Sequence, residues 1–234
     1  MNARLMVDQS NELQEFRETG YRPGNPLIKL VAKAISYIFH PLFVPVYMII
    51  FLLYIHPFEF AGTSSWDKKM VLLQTILMYG FFPLITVLLL KALDFIESIY
   101  LNKQKDRIIP FVICNIWYFW IWYVWRNLPN SPKEIVVLAM AIFLASAIGL
   151  MANIYMKISM HTIAMGVAIS FMLFLAVTQS ISFGVYASIA FLIAGLVCTA
   201  RFIVSDHTSG EIYTGLLVGV FSQLIAIWVG GIFP

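Results

Sequence analysis

Continuous apolar runs of about 18–22 residues constrain this chain more than any other feature of its sequence. A helical run of this length matches the hydrocarbon thickness of a bilayer. The runs do not alternate between apolar and polar residues, as the strands of a membrane β-barrel do. In lipid every backbone N–H and C=O needs a partner within the protein, so helices are the remaining solution. The sequence therefore predicts an all-α, polytopic transmembrane helix bundle of six to seven spans.

The composition supports a lipid environment for most of the chain. Hydrophobic residues make up 61% of the 234 residues, and charged residues only 12%. The core of a soluble domain of this size is too small to hide that much apolar surface. The sequence has no dense basic run with interleaved aromatic residues, so we expect no nucleic-acid partner. We expect an integral protein of a bacterial inner membrane, with membrane lipids as its surroundings.

The apolar segments divide the chain into two regions. Residues 1–40 form a polar N-terminal tail and an interfacial amphipathic segment. Residues 1–25 are interpreted as a cytosolic tail or an interfacial helix, and residues 26–40 as the amphipathic segment. Residues 41–234 form the predicted transmembrane domain. Its seven apolar segments lie at about residues 41–58, 70–91, 108–125, 135–156, 162–180, 183–204 and 212–233. The chain must turn near residues 178–184, because one helix over the fifth and sixth segments would be roughly 60 Å long.

The distribution of positive charge predicts which face of the membrane each loop occupies. All but four of the 15 Lys and Arg residues lie in the N-terminal tail or in the segments and loops on its side. The exceptions are Lys68, Lys69, Arg126 and Lys133. The side that carries the tail is therefore expected to be cytosolic.

Polar residues cluster in three loops that the seven-segment arrangement places on the tail side. These loops contribute, in chain order, Lys103, Lys105 and Arg107; Lys157, Ser159 and His161; and Arg201, His207 and Glu211. Guanidinium and ammonium groups that converge make an anion site, and the fork of an arginine matches two phosphate oxygens. The three clusters therefore predict a phosphate-binding site at one membrane face.

The histidines in these loops suggest chemistry on such a phosphate. One imidazole could attack phosphorus while a second protonates the leaving oxygen. Glu211 lies four residues after His207, a spacing that places both on one face of a helix. Its carboxylate could hold the imidazole in the tautomer whose other nitrogen is free to attack. The helix expected to begin near residues 205–208 would also favour an anion at its N-terminus.

Each of these residues has a simpler interpretation as well. Arg201 could extend from a helix end towards the interface. Thr208 and Glu211 could form only a helix capping box. Residues 103–107 could be a positively charged cytosolic loop and nothing more.

The other histidines and the two cysteines are interpreted as structural. His40 and His56 each precede a proline near the ends of the first apolar segment. Cys114 and Cys198 lie within apolar runs, which favours small packing residues over a disulfide or a metal site.

The run from Ala200 to Glu211 resembles a signature of the type 2 phosphatidic acid phosphatase superfamily, which contains lipid phosphatases and haloperoxidases. In that signature Ser-Arg is followed after five residues by His, and after three more by Asp. Arg201, His207 and Glu211 have this spacing, with Glu in place of Asp and Ala200 in place of Ser.

Two weaker similarities precede this run. Ser159 and His161 match two positions of the family's Pro-Ser-Gly-His signature, with Met160 in place of the glycine. Residues 103–110 contain the residue types of the first signature, Lys, six residues, Arg-Pro, but not its spacing. The resemblance covers roughly residues 103–215, with the signatures in the family's order.

The resemblance implies a lipid phosphatase that needs neither a metal nor a cofactor. His207 would be the nucleophile that forms a phosphohistidine, Glu211 would orient it, and His161 would be the general acid. The phosphate oxygens would be bound by Arg201, Ser159 and Arg107, with Lys103 or Lys105.

The implied substrate is a phosphomonoester or diphosphate of a lipid. A catalytically inactive lipid-phosphate binding or transport protein of the same fold is the alternative. Members of this family usually act at the extracytoplasmic face, which is opposite to the face that the positive charge of this chain predicts.

Overall fold

A computed structural model describes residues 4–7, 13–16, 25–56, 58–99, 101, 104–179, 183–205 and 207–230. The described part of the N-terminal tail forms two short antiparallel strands, β1 (Arg4–Val7) and β2 (Leu13–Phe16). These two stretches are therefore strands, and they do not form the interfacial helix that the sequence allowed over residues 1–25.

The rest of the described chain consists of helices and the loops between them. In chain order they are α1 (Pro26–Ile38), α2 (Val44–Ile50), α3 (Ser65–Thr75), α4 (Phe82–Ala92), α5 (Ile108–Asn127), α6 (Lys133–Tyr155), α7 (Met160–Thr178), α8 (Gly184–Val204) and α9 (Ser209–Val229). A π-helical turn at Phe51–Ile55 extends α2, and another at Ile76–Phe81 joins α3 to α4. A short 3-10 turn, Lys105–Arg107, leads into α5.

Within the described residues, six helical stretches are long and apolar enough to cross a membrane. They are Ser65–Ala92, Lys105–Asn127, Lys133–Tyr155, Met160–Thr178, Gly184–Val204 and Ser209–Val229. They correspond to the second to seventh apolar segments, and the predicted turn lies between α7 and α8. The chain is therefore an integral membrane protein built as a polytopic helix bundle, as predicted.

The first apolar segment forms a shorter helix than the sequence predicts. Prolines on both sides confine it to Val44–Ile55, which is roughly 18 Å long. Its flanking residues nevertheless lie at opposite ends of α7. The ring of His40 packs against His161 at the start of α7, and Glu59 accepts a hydrogen bond from Gln179 just after its end. This segment therefore runs the full length of α7 with non-helical residues at both ends.

Helix α7 lies at the centre of the bundle. It packs most extensively on α9 and also contacts α2, α6 and α8. Thr162, Phe171 and Leu175 of α7 are completely buried. The helix that begins at the predicted site is therefore also the best-packed element of the fold.

Glycines bring the backbones of α7 and α9 into direct contact. A Cβ added at Gly166 would lie 2.1 Å from the carbonyl oxygen of Leu216, and one added at Gly219 would lie 2.1 Å from that of Ile163. Small residues allow the same close approach in other membrane helix pairs. The contact fixes the relative positions of the N-terminal ends of α7 and α9. The predicted site lies at these ends.

Helix α1 forms over the predicted amphipathic segment and packs along α8. Asn25 caps it by accepting the N–H of Leu27 at 2.9 Å, and Pro26 occupies its first turn. Its exposed side chains include Leu30 and Tyr37. The helix thus covers the end of α8 that carries Arg201.

Candidate functional site

The three predicted loops meet at one end of the bundle. His161 lies in the first turn of α7, Arg201 in the last turn of α8, and His207 in the loop before α9. Arg107 directly precedes α5. All four line one cavity of about 1080 Å³. The structure therefore brings together two histidines and two cationic side chains from three separate loops.

His207 is held in one tautomer. Its Nδ1 lies 2.9 Å from the carbonyl oxygen of Lys157 and 3.3 Å from Oε2 of Glu211. An ionised carboxylate and a carbonyl can only accept, so Nδ1 carries the proton and Nε2 keeps its lone pair. His207 is only 2% exposed, and it lines the cavity. The geometry is that of an imidazole prepared to use Nε2 as a base or a nucleophile.

Glu211 caps α9 and orients His207 with the same oxygen. Oε2 accepts the backbone N–H of Thr208 at 3.0 Å, and Thr208 Oγ1 accepts the N–H of Glu211 at 3.3 Å. This is the capping box that the sequence allowed as the simpler interpretation. It occurs together with the contact to His207, because the capping geometry points the carboxylate back towards the preceding loop.

The electrostatic surroundings keep His207 neutral at neutral pH. Burial lowers its pKa, because an imidazolium loses hydration there. The Glu211 carboxylate opposes this effect, while the positive charges of Arg107 and Arg201 lower the pKa further. The neutral form, which has the free lone pair, is therefore the form present near pH 7.

His161 is held from the side of α1. Its Nε2 lies 3.1 Å from the carbonyl oxygen of Ser36, so the proton of the neutral ring is on Nε2 and Nδ1 is an acceptor. To act as a general acid, His161 must be doubly protonated or give up its bond to Ser36. The sequence alone did not indicate this restraint.

Arg107 joins two loops of the site. It is 5% exposed, and its Nε and Nη1 each donate at 2.8 Å, to the carbonyl oxygens of Leu101 and Ile158. Leu101 precedes α5, whereas Ile158 lies between α6 and α7. Arg107 therefore holds the first and second predicted loops together and also lines the cavity.

We expect Arg107→Lys to lower the free energy of unfolding by about 2–4 kcal/mol. The carbonyl oxygens of Leu101 and Ile158 would lose their donor, and each buried polar group left without a partner costs roughly 1–3 kcal/mol. An ammonium cannot reproduce the fork that reaches both carbonyl groups. Thermal unfolding in detergent measures the change. Arg126→Lys, at the exposed far end of α5, is the matched control and should leave the transition unchanged. Equal transitions for both variants would contradict this role.

The remaining predicted phosphate ligands lie away from the cavity surface or outside the described part. Lys105 is exposed on the 3-10 turn and does not line the cavity, and Lys103 lies outside the described residues. Ser159 is completely buried at the N-cap of α7, and its hydroxyl has no hydrogen-bond partner in the described structure. Its N–H donates to the carbonyl oxygen of Glu211 at 3.4 Å, which ties α7 to α9.

Three other basic or imidazole side chains line the cavity, namely Lys33, His40 and Lys157. Lys157 belongs to the second of the three predicted polar loops and lies two residues before Ser159, so the loop cluster already indicated it. Lys33 and His40 come from α1 and the turn after it, outside the stretch that resembles the phosphatase family. No local pattern links them to the other site residues.

The cavity continues from this polar end into the apolar interior of the bundle. Its apolar lining includes Leu84, Leu88, Phe111, Tyr118, Ile142 and Val167. Along α5 it extends from Arg107 to Tyr118, which is roughly 16 Å, or about half of the hydrocarbon thickness. The cavity therefore joins a cationic end to a space that suits a hydrocarbon chain.

No family model, curated protein or solved structure matches this chain. Among the described residues, no group of three or more His, Cys, Asp or Glu side chains is placed to hold a metal ion. The fold thus defines the class of protein, an integral membrane helix bundle.

Proposed function

We propose that this protein is a lipid phosphatase, a divergent member of the type 2 phosphatidic acid phosphatase superfamily. It hydrolyses a phosphomonoester or diphosphate of a lipid through a phosphohistidine, without a metal. One observation carries the proposal: Lys157 and Glu211 hold His207 with its Nε2 lone pair free, beside the cavity that Arg201 also lines.

The proposed reaction begins with attack of His207 Nε2 on phosphorus. The P–N bond forms as the P–O bond to the lipid breaks, and the imidazolium form of His161 protonates the departing oxygen. The Glu211 carboxylate balances the positive charge that develops on His207. Water then attacks phosphorus while neutral His161 accepts its proton. The new O–P bond forms as the P–N bond breaks, so inorganic phosphate leaves and His207 recovers its Nε2 lone pair.

The shape of the cavity supports a lipid as the substrate. Its apolar part is bordered by Phe43, Phe81, Leu84 and Leu88, which are large apolar side chains with exposed surface. A hydrocarbon chain in this part of the cavity would contact these side chains. Burial of such a chain supplies binding free energy that a water-soluble phosphate ester lacks.

Phosphate release from a panel of lipids tests the proposal. The purified protein in mixed micelles is incubated with phosphatidate, phosphatidylglycerophosphate or a polyprenyl diphosphate, and inorganic phosphate is measured with and without EDTA. We expect release from at least one lipid at a rate that EDTA does not change. Absence of release from the whole panel would contradict the proposed activity.

Glu211→Gln is expected to lower the rate of phosphate release roughly 10²-fold, because a neutral amide no longer stabilises the His207 imidazolium. The carboxylate raises the pKa of His207, so its removal lowers that pKa. Activity needs neutral His207 and is lost as the pH falls through this pKa. The acidic limb of the pH–rate profile should therefore move to lower pH. A limb that moves to higher pH would contradict the assigned contact.

A lipid-phosphate binding or transport protein is the second candidate. The bond from His161 Nε2 to the Ser36 carbonyl favours it, because that proton is already used within the protein. Saturable binding of the same lipids without turnover would distinguish this function from hydrolysis. In either case the cationic end of the cavity lies on the side where positive charge predicts the cytosol.

A further inference from the structure

A third imidazole, that of His40, belongs to the cavity. His40 lies in the turn between α1 and α2 and lines the cavity with His161 and His207. Its ring packs edge-to-face on that of His161, with the centroids 5.4 Å apart and an interplanar angle of 81°. The sequence suggested only a structural role, because His40 precedes a proline near the end of the first apolar segment.

The tautomer of His40 follows from its neighbour in the chain. The backbone N–H of Leu42 donates to Nδ1 at 3.4 Å, so the proton of the neutral ring is on Nε2. Partial burial lowers the pKa of His40 to about 4, and the positive charge of Arg201 contributes to this shift. At physiological pH the ring is therefore an uncharged hydrogen-bond donor through Nε2.

Arg201 lines the same cavity as the three imidazoles. Its charge contributes to the lowered pKa of both His40 and His207. An anion held by Arg201 in this cavity would therefore share it with the rings of His40 and His207.

We propose that His40 is a phosphate ligand of this site, donating its Nε2–H to a phosphate oxygen while Arg201 supplies the compensating charge. This inference rests on the proposed function for the identity of the ligand as a phosphate group. It assigns to α1 and its following turn a direct part in substrate binding, beyond the stretch that resembles the phosphatase family. The edge-to-face contact would orient the two rings relative to each other.

Two variants separate ligand binding from packing. His40→Leu keeps an apolar side chain but removes the donor, whereas His40→Gln retains an amide N–H near the position of Nε2. His56→Leu is the matched control, because His56 is buried against Phe51 and Phe183 near the other end of the same segment. For each purified full-length protein in detergent, the Kd for inorganic phosphate is measured by phosphorus NMR, and Tm is recorded.

We expect His40→Leu to weaken phosphate binding roughly ten- to a hundredfold, the effect of one hydrogen bond to a charged acceptor. His40→Gln should recover most of the affinity, and His56→Leu should bind as the wild type does. An unchanged Kd in His40→Leu would overturn the inference. So would equal weakening in both His40 variants with equal losses in Tm, or a wild-type protein that binds no phosphate.

The same variants distinguish this inference from the proposed activity. Phosphate binding that depends on His40, without turnover of any lipid, supports the ligand role and overturns the hydrolase. Lipid hydrolysis that is lost in His207→Ala, together with unchanged phosphate binding in His40→Leu, supports the hydrolase and overturns the ligand role.

Discussion

Replacement of His207 by alanine is expected to lower phosphate release from the lipid substrate by at least about 10³-fold. The variant loses the atom that forms the covalent bond to phosphorus, and Arg201 and the cavity can still bind the lipid. The loss should therefore fall on kcat, with a KM that changes little. Initial rates over a range of lipid concentrations in mixed micelles measure both constants.

His56→Ala is the matched control for this substitution, since it removes a buried histidine at the opposite end of the bundle. It should keep the wild-type rate wherever the protein remains folded. Equal rates for His207→Ala and the wild type would defeat the phosphohistidine mechanism. If both histidine variants lost phosphate release and both had a similarly lowered Tm, the loss of activity would be an effect on folding.

Gly219→Ala is expected to destabilise the bundle by about 3 kcal/mol and to lower the rate roughly 10²-fold. The three atoms nearest to the added Cβ are all backbone atoms, namely the carbonyl oxygen of Ile163 at 2.1 Å, the amide nitrogen of Val167 at 2.7 Å and the Cα of Gly166 at 2.8 Å. Backbone atoms cannot rotate away, so α7 and α9 must separate. Separation moves the N-terminal ends of both helices, where His161 and Glu211 lie.

Gly195→Ala tests whether this effect is specific to the contact between α7 and α9. Gly195 lies inside α8, and a Cβ added there has nothing within 4 Å. Alanine also favours a helix over glycine, so this variant should be as stable as the wild type or slightly more stable. Thermal unfolding and phosphate release are measured on both variants. If Gly219→Ala behaved as Gly195→Ala does, the close packing would not position the site.

Most of the fold could be predicted, because membrane spans follow from local composition. The six long helices correspond to six of the seven apolar segments, and the chain turns between α7 and α8 as predicted. The first segment differs, since prolines limit it to Val44–Ile55. Its path along α7 depends on contacts with distant residues such as His161 and Gln179, which no local pattern encodes.

The candidate site was predictable where its geometry is local. His207 and Glu211 are four residues apart, so the start of one helix brings them together. Lys105 shows the limit of such reasoning. It was predicted to bind phosphate because of its charge and loop position, but it is exposed on the 3-10 turn and does not line the cavity. Lys157 lines the cavity, and its carbonyl oxygen also fixes the tautomer of His207.

The sequence by itself determined that the chain spans a membrane as helices and that cationic and imidazole side chains collect on one side. Both results follow from hydrophobic run length and from the alternation of loops between two faces. Only the tertiary structure decided which of those side chains share a cavity, since this depends on the close approach of α7 and α9. It also placed His40 beside His161, because contacts between distant segments arise from packing and not from local spacing.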